Sequence, residues 1–100
     1  LVQETERFFE EYDAWITPTS AHAAFPHVRM GTPLMIDGEK VAYTEAHAPF
    51  VCTTVLQATP IVTIPMGMSS EGLPISVSVH GKRWQDWRLL TIAEHIERLG

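Results

Sequence analysis

The chain has 100 residues, of which 45% are hydrophobic and 19% are charged, and its formal net charge is −5. This length predicts a single domain over residues 1–100, and the acidic balance without a basic stripe argues against a nucleic-acid partner. No apolar run is long enough to cross a bilayer, and the single Cys52 excludes an internal disulfide, so we expect a cytoplasmic protein with no membrane partner. The low share of charged residues and the opening on Leu1 rather than methionine indicate a piece of a longer protein.

The first part of the chain is predicted to hold a helix, a short strand and a long loop. Aromatic side chains recur at helical spacing over residues 3–12, with acidic residues on the other faces. Residues 14–17 follow as a strand that Pro18 closes. Residues 19–38 then have the composition of a loop and end in the turn dipeptide Asp37-Gly38. A loop of this length inside a compact domain is typical of a functional segment.

Residues 41–58 carry an ambiguous pattern. Their apolar side chains recur three and four residues apart, which favours a helix, but Pro49 lies inside the pattern. Because proline either kinks a helix or marks its first turn, we place the start of this helix at about Pro49. Cys52 falls on the apolar face of the helix and is predicted to be buried.

The strongest structural prediction from the sequence is a β-hairpin over residues 58–81. Its first strand, 61–66, is a dense run of β-branched residues, and its second strand, 73–80, alternates between apolar and polar residues. Glycines and serines between the strands supply turn chemistry. We therefore interpret Ser69-Ser70 as turn residues rather than nucleophiles, since no base accompanies them. Pro65 lacks an amide donor and is predicted at a strand end or a bulge.

The last element is an amphipathic helix over residues 85–99, capped by Asp86, with Trp84 packing its start against the sheet. The order of elements indicates an α/β fold of about three mixed strands covered by helices. One β-α-β unit joins strands 14–17 and 61–66, which we expect to run parallel. The hairpin adds the third strand in the antiparallel direction.

Histidine is the residue type that most invites a metal or catalytic interpretation. None of the five histidines has the spacing or the carboxylate partner of a metal ligand, so we interpret them as loop or surface residues. They are His22, His27, His47, His80 and His95. The sequence therefore predicts no metal site and no cofactor.

Motifs along nearly the whole chain, from about Arg7 to Arg98, resemble the C-terminal end of an amidase signature family enzyme. The segment from Tyr12 to Thr19 is similar to the family's Asp-x-x-x-x-Pro-Thr strand. The hairpin and the last helix carry the remaining motifs, which are Pro60-x-x-x-x-Pro65-x-Gly67, Gly72-Leu73-Pro74, Gly81-Lys82 and Leu89-Leu90. Each motif is weak alone, but their order and spacing together are specific.

The resemblance implies an enzyme that hydrolyses carboxylic amides with a serine nucleophile, a second serine in cis peptide linkage and a lysine base. It places those residues outside this chain, which has no catalytic residue of its own and is expected to be inactive alone. The chain would supply closing strands and the last helix of the family's αβα sandwich. The loop from His22 to Gly38, together with Tyr43 and Phe50, is expected to bind an apolar or aromatic small-molecule amide.

Several positions depart from the family pattern. Where members read Asn-Leu-x-Gly, this chain has Val55-Leu56-Gln57-Ala58, and Ser76 stands at a family glycine. Ala48 stands where tRNA-linked members carry an aspartate that holds the glutamine amine, which favours a general amidase. Strands severed from a larger sheet leave an unpaired edge, so we expect a homodimer or strand exchange of the isolated chain. The alternative is a non-catalytic interaction or structural module.

Overall fold

The computed structural model of the protein describes all residues from Leu1 to Gly100. Three helices and five strands follow one another as α1 (Val2–Glu11), β1 (Trp15–Pro18), β2 (Leu34–Ile36), β3 (Glu39–Val41), α2 (Tyr43–Gln57), β4 (Ile61–Met68), β5 (Pro74–His80) and α3 (Asp86–Leu99). This mixture confirms the α/β class. None of the helices combines the length and the apolar character needed to span a membrane.

The main sheet has three strands in the order β1-β5-β4. β5 pairs antiparallel with both neighbours, so His80 lies opposite Trp15 on one side and Ile61 on the other. β1 and β4 therefore run in the same direction, as predicted for a β-α-β unit, but β5 lies between them and every pairing is antiparallel. The pairing of β4 shifts in register between Pro65 and Gly67, which confirms the irregularity predicted at this proline.

The hydrophobic core lies on one face of the main sheet. Ile64 of β4 and Val79 of β5 are buried there, and Leu89 and Ala93 of α3 pack against them. Gly81 follows β5 at the point where α3 lies closest to the sheet. A Cβ atom at Gly81 would lie 3.0 Å from Cδ1 of Leu89, so this glycine allows α3 its close approach.

A second, two-stranded sheet begins inside the segment predicted to be a loop and ends just after it. β2 and β3 pair antiparallel around Asp37-Gly38. Both turn residues have positive φ, 51° at Asp37 and 79° at Gly38, as a two-residue type I′ hairpin turn requires. The sequence contains this Asp-Gly signal, but strands of three residues each are too short to display an alternating pattern.

α2 begins at Tyr43, so the predicted start at Pro49 is wrong. Pro49 lies inside the helix, where it lacks the N–H that would bond to the carbonyl of Glu45. Ala46, at 0% exposure, packs the part of the helix before the proline against the rest of the chain, and this tertiary packing favours helix there despite the lost bond. Cys52 is exposed rather than buried, because it lies on the side of α2 that faces away from the sheet.

Two predictions at the start of α3 are also wrong. Asp86 is the first helical residue, the cap position belongs to Gln85, and no side chain caps the helix. The Asp86 carboxylate still lies in the first turn, where the helix dipole favours a negative charge. Trp84 is 80% exposed and packs under the guanidinium of Arg83 rather than against the sheet.

Candidate functional site

One side of α2, here termed the inner face, is turned toward β1 and the loop after it. Its residues recur at spacings of three and four and are all partly or fully buried. They are Tyr43, Ala46, His47, Phe50 and Thr54. The inner face thus holds both predicted substrate-binding residues, Tyr43 and Phe50, but their surroundings differ.

Phe50 lines a cavity of about 200 Å³ between α2 and β1, here termed the α2 cavity. The other lining residues mix apolar rings with threonine hydroxyls, and they are Trp15, Thr17, Pro18, Pro49, Thr53 and Thr54. Ligand pockets typically measure about 300–1,000 Å³. The α2 cavity by itself therefore accommodates only a small group, such as one end of a larger molecule.

A buried polar pair lies beside the α2 cavity. The Oγ1 atom of Thr17 lies 2.8 Å from Nε2 of His80, and the His80 ring packs 5.0 Å from Trp15 between centroids. His80 is only 1% exposed, so the interpretation of this histidine as a loop or surface residue is wrong. Burial lowers the pKa of the His80 imidazole below its ordinary value, which keeps the ring neutral at neutral pH.

A hydroxyl bonded to an imidazole is also the arrangement of a nucleophile and its base. Here Nδ1 of His80 has no hydrogen-bond partner, so no third group orients the ring, and burial keeps it from solvent. A second bond on the same face joins Oγ1 of Thr19 to Oγ of Ser78 at 3.1 Å. The first bond links β1 to β5 and the second links the residue just after β1 to β5, and we interpret both as contacts that hold these strands in register.

The sequence alone does not predict the hydrogen bond between Thr17 and His80. The signal that was present is the alternation of β5, which places His80 on one face with Ser76 and Ser78. The missing information was the strand that lies beside β5. Local patterns do not specify a pairing between residues so far apart in the chain.

Tyr43 lies in a cluster of rings, here termed the aromatic cluster, formed with His47, His22 and Phe25. The ring centroids of Tyr43 and His47 are 4.6 Å apart, and those of His47 and His22 are 5.1 Å apart. Nδ1 of His22 donates to the carbonyl of Ala23 at 2.7 Å, while Nε2 of both histidines is buried without a partner. The aromatic cluster fastens the loop after β1 to the inner face of α2.

The largest cavity, about 560 Å³, lies on another side of this loop and is here termed the loop cavity. It is bounded by residues 21–28, residues 33–37 and the turn between β4 and β5. Neither Tyr43 nor Phe50 lines it. Phe50 therefore lines the α2 cavity, the predicted loop lines the loop cavity, and Tyr43 packs in the aromatic cluster, so the three do not form a single pocket within this chain.

Ser69 has the role expected of a turn residue between β4 and β5. Its N–H donates to the carbonyl of Leu73 at 2.8 Å, and its Oγ accepts from the N–H of Leu73 at 3.1 Å. The hydroxyl is thus used by the backbone, which confirms the interpretation of Ser69 as a turn residue. No group of three His, Cys, Asp or Glu side chains is placed to hold a metal ion.

Comparison with known proteins gives the family. The sequence profile of the family described as Amidase matches residues 1–90. A glutamyl-tRNA(Gln) amidotransferase subunit of Synechococcus sp. (strain RCC307) is 31% identical over 97 residues, which are 96% of this chain and 18% of that protein. Fatty acid amide hydrolase of Medicago truncatula is 30% identical over 92 residues, which are 91% of this chain and 15% of that protein. The chain spans less than a fifth of the length of these curated relatives, and it belongs to the amidase signature family.

Proposed function

We propose that residues 1–100 form the C-terminal part of a cytoplasmic amidase that hydrolyses a small carboxylic amide by a serine-lysine mechanism. The observation that carries the proposal is the family match over residues 1–90, in a chain that spans less than a fifth of its relatives. Both relatives have names that refer to amide chemistry. In this proposal the chain supplies scaffold and pocket wall, and it needs no metal or cofactor.

The hydroxyl and thiol groups of the chain support a scaffold role. Ser69 is engaged by the backbone of its turn, and Thr17 is bonded to the buried, neutral His80. Cys52 lies on the exposed side of α2. A nucleophile requires an adjacent base and donors for the developing oxyanion. We therefore assign the nucleophile and the base to the rest of the polypeptide, and the isolated chain is expected to be inactive.

The outer face of α2, defined by Val51, Cys52, Val55 and Leu56, supports a place inside a larger protein. All four residues are exposed, Val55 by 71%, and no charged residue occurs anywhere between Ala46 and Ser70. A helix that is apolar on both sides is typical of a helix buried on both sides. Further parts of the amidase would cover the outer face, and a second copy would cover it in a homodimer or strand-exchanged pair of isolated chains.

Tyr43 and Phe50 are proposed to bind the apolar or aromatic part of the amide. Phe50 already lines the α2 cavity, which has room for one small group. Tyr43 packs on His47, whose ring contacts His22 and Phe25 of the loop that would form the adjoining wall. Aromatic rings on a common helical face give a ligand a large apolar contact at a small cost in conformational entropy.

Two polypeptides test the proposal, namely the product of the complete coding sequence and the isolated 100-residue chain. We expect the complete product to release ammonia from aliphatic or aromatic primary amides and the isolated chain to release none.

Two variants of the complete product test the assigned binding residues. Phe50→Ala and Tyr43→Ala should each raise KM about tenfold for an aromatic amide, because each loses about 1.4 kcal/mol of apolar contact. Trp87→Ala, at a residue that is 84% exposed on α3, is the control and should leave KM unchanged. Hydrolysis by the isolated chain, or unchanged KM in both α2 variants, would refute the proposal.

A further inference from the structure

The loop cavity has the size and the apolar lining of a small-molecule site. Its volume of about 560 Å³ lies within the usual range of about 300–1,000 Å³ for ligand pockets. Phe25, Val28, Leu34, Ile36 and Leu73 are among the nine hydrophobic residues that line it. These side chains come from three separate segments of the chain, so the cavity is a product of the tertiary fold and offers an apolar surface to a ligand.

The lysine, arginine, aspartate and glutamate side chains that line the loop cavity are all of one sign. Asp37 and Glu71 are the only charged residues that line it, and no lysine or arginine does so. Neither carboxylate is part of an ion pair, since both salt bridges of the chain are made by arginines of α3 to other acids. Two carboxylates without a cation favour a ligand that brings its own positive charge.

Both carboxylates are carried by turns with a defined backbone. Asp37 is the first residue of the type I′ turn between β2 and β3. Glu71 lies in the turn between β4 and β5, which is closed by the bonds between Ser69 and Leu73 and by the N–H of Gly72, which donates to the carbonyl of Ser69 at 2.9 Å. A ligand therefore meets charges whose backbone positions are already ordered, which lowers the entropic cost of binding.

An aromatic ring also lines the loop cavity. Phe25 lines the loop cavity and is held by the aromatic cluster, with its ring centroid 4.8 Å from that of His22 and 5.8 Å from that of His47. The face of an aromatic ring attracts an ammonium ion, and this attraction adds to that of the carboxylates.

We propose that the loop cavity binds a small apolar amine in its ammonium form. The apolar body of the ligand contacts the hydrophobic lining, and the ammonium group lies near Asp37, Glu71 and the ring of Phe25. The same chemistry has two sources, a free amine or the amine-bearing end of an amide substrate, and only the second rests on the proposed amidase function.

Three probes of similar shape test the charge preference in the complete gene product by titration calorimetry. They are 2-phenylethylamine, which is an ammonium ion at neutral pH, the neutral 2-phenylethanol, and the anionic 3-phenylpropionate. Asp37 and Glu71 are both exposed, so their attraction for a cation is screened by solvent. We expect the amine to bind about three- to tenfold more tightly than the alcohol, and the carboxylate to bind more weakly than the alcohol. Equal affinity for amine and alcohol would overturn the proposal.

A pair of variants locates the preference. Asp37→Asn with Glu71→Gln removes both carboxylates, and asparagine tolerates the positive φ of the turn, so the fold is retained. This variant should bind the amine no better than the alcohol, while alcohol affinity stays unchanged. The control, Glu10→Gln with Glu97→Gln, removes the same charge from exposed positions on α1 and α3 and should keep the preference. A preference that survives the first variant, or disappears in the control, would contradict the assignment.

Inhibition kinetics separate the two sources of the amine. Competitive inhibition of amide hydrolysis by 2-phenylethylamine would support the loop cavity as the place of the substrate's amine end. Binding that leaves KM unchanged would support a site for a free amine. The calorimetric measurement requires no enzyme activity, so a failure of the amidase proposal and a failure of the amine site give different results.

Discussion

The two long helices, α2 and α3, differ in how completely this chain buries them. α3 is amphipathic, and it places Leu89 and Ala93 on the apolar face of the main sheet and most of its charged residues in solvent. α2 is apolar on both sides, yet only its inner face is covered, and Val55 and Leu56 remain exposed. The core under α3 is therefore complete within the chain, whereas α2 has an outer face suited to a further layer of protein.

The largest expected effect lies in the core under α3. Leu89→Ala should lower the free energy of unfolding of the isolated chain by about 3 kcal/mol, because it leaves a cavity at a residue that is 1% exposed. The control is Val55→Ala on the outer face of α2, which also shortens an apolar side chain and should change the free energy of unfolding by less than about 0.5 kcal/mol. Urea denaturation followed by circular dichroism measures both changes. Equal losses of stability in the two variants would contradict the claim that this chain buries α3 more completely than α2.

The polar pair between β1 and β5 is expected to have the next largest effect. Thr17→Val removes the partner of a buried imidazole nitrogen and should destabilise the chain by about 1–3 kcal/mol. Thr63→Val, at an exposed position of β4, is the control and should have little effect. A Thr17 variant as stable as the parent would show that the hydroxyl does not matter to the imidazole.

The buried His80 should also make stability depend on pH. Its pKa is lowered in the folded state relative to 6.5, so below about pH 6.5 the unfolded chain binds more protons than the folded chain. Stability is then lost as the pH falls through this value. Between about pH 7.5 and 5.5, the free energy of unfolding should fall less steeply in His80→Gln than in the parent. The control is His27→Gln, at an exposed loop residue, in which the free energy of unfolding should depend on pH as it does in the parent. Denaturation curves at several pH values would contradict this account if all three slopes agreed.

The smallest predicted effect concerns the end of α2. Ala58 has φ 56° and ψ 38°, the left-handed conformation that favours glycine. Ala58→Gly should therefore stabilise the chain by about 0.5–1 kcal/mol. The reverse exchange, Gly38→Ala at φ 79°, should destabilise it by a similar amount. Thermal denaturation of both variants checks the sign, and a destabilised Ala58→Gly would contradict it.

Patterns within short stretches of the sequence predict three of the elements. The hairpin of β4 and β5 and the helix α3 follow from alternation, turn residues and helical spacing, and the structure contains all three near the expected bounds. The start of α2 does not follow from the position of Pro49, because the burial of Ala46 before it is a property of the tertiary structure. The strands β2 and β3 have three residues each, which is too short for an alternating pattern to indicate them.

The candidate site was predictable only in part, and for a similar reason. The recurrence of apolar residues at three and four includes both Tyr43 and Phe50, but the predicted start at Pro49 leaves Tyr43 outside the helix that contains it. Their separate surroundings, the bond from Thr17 to His80 and the carboxylates of the loop cavity depend on which segments meet in space. Such contacts join distant parts of the chain, and no periodic pattern in the sequence encodes them.

The reactivity of Cys52 tests the central claim that the outer face of α2 is covered in the complete protein. This thiol is exposed on that face, and mass spectrometry of its peptide reports its alkylation by iodoacetamide in any polypeptide that contains it. Covering the face should slow alkylation in the complete protein by at least about tenfold relative to the dilute isolated chain, since the thiol would react only after local opening. Equal rates in the two polypeptides would contradict the claim.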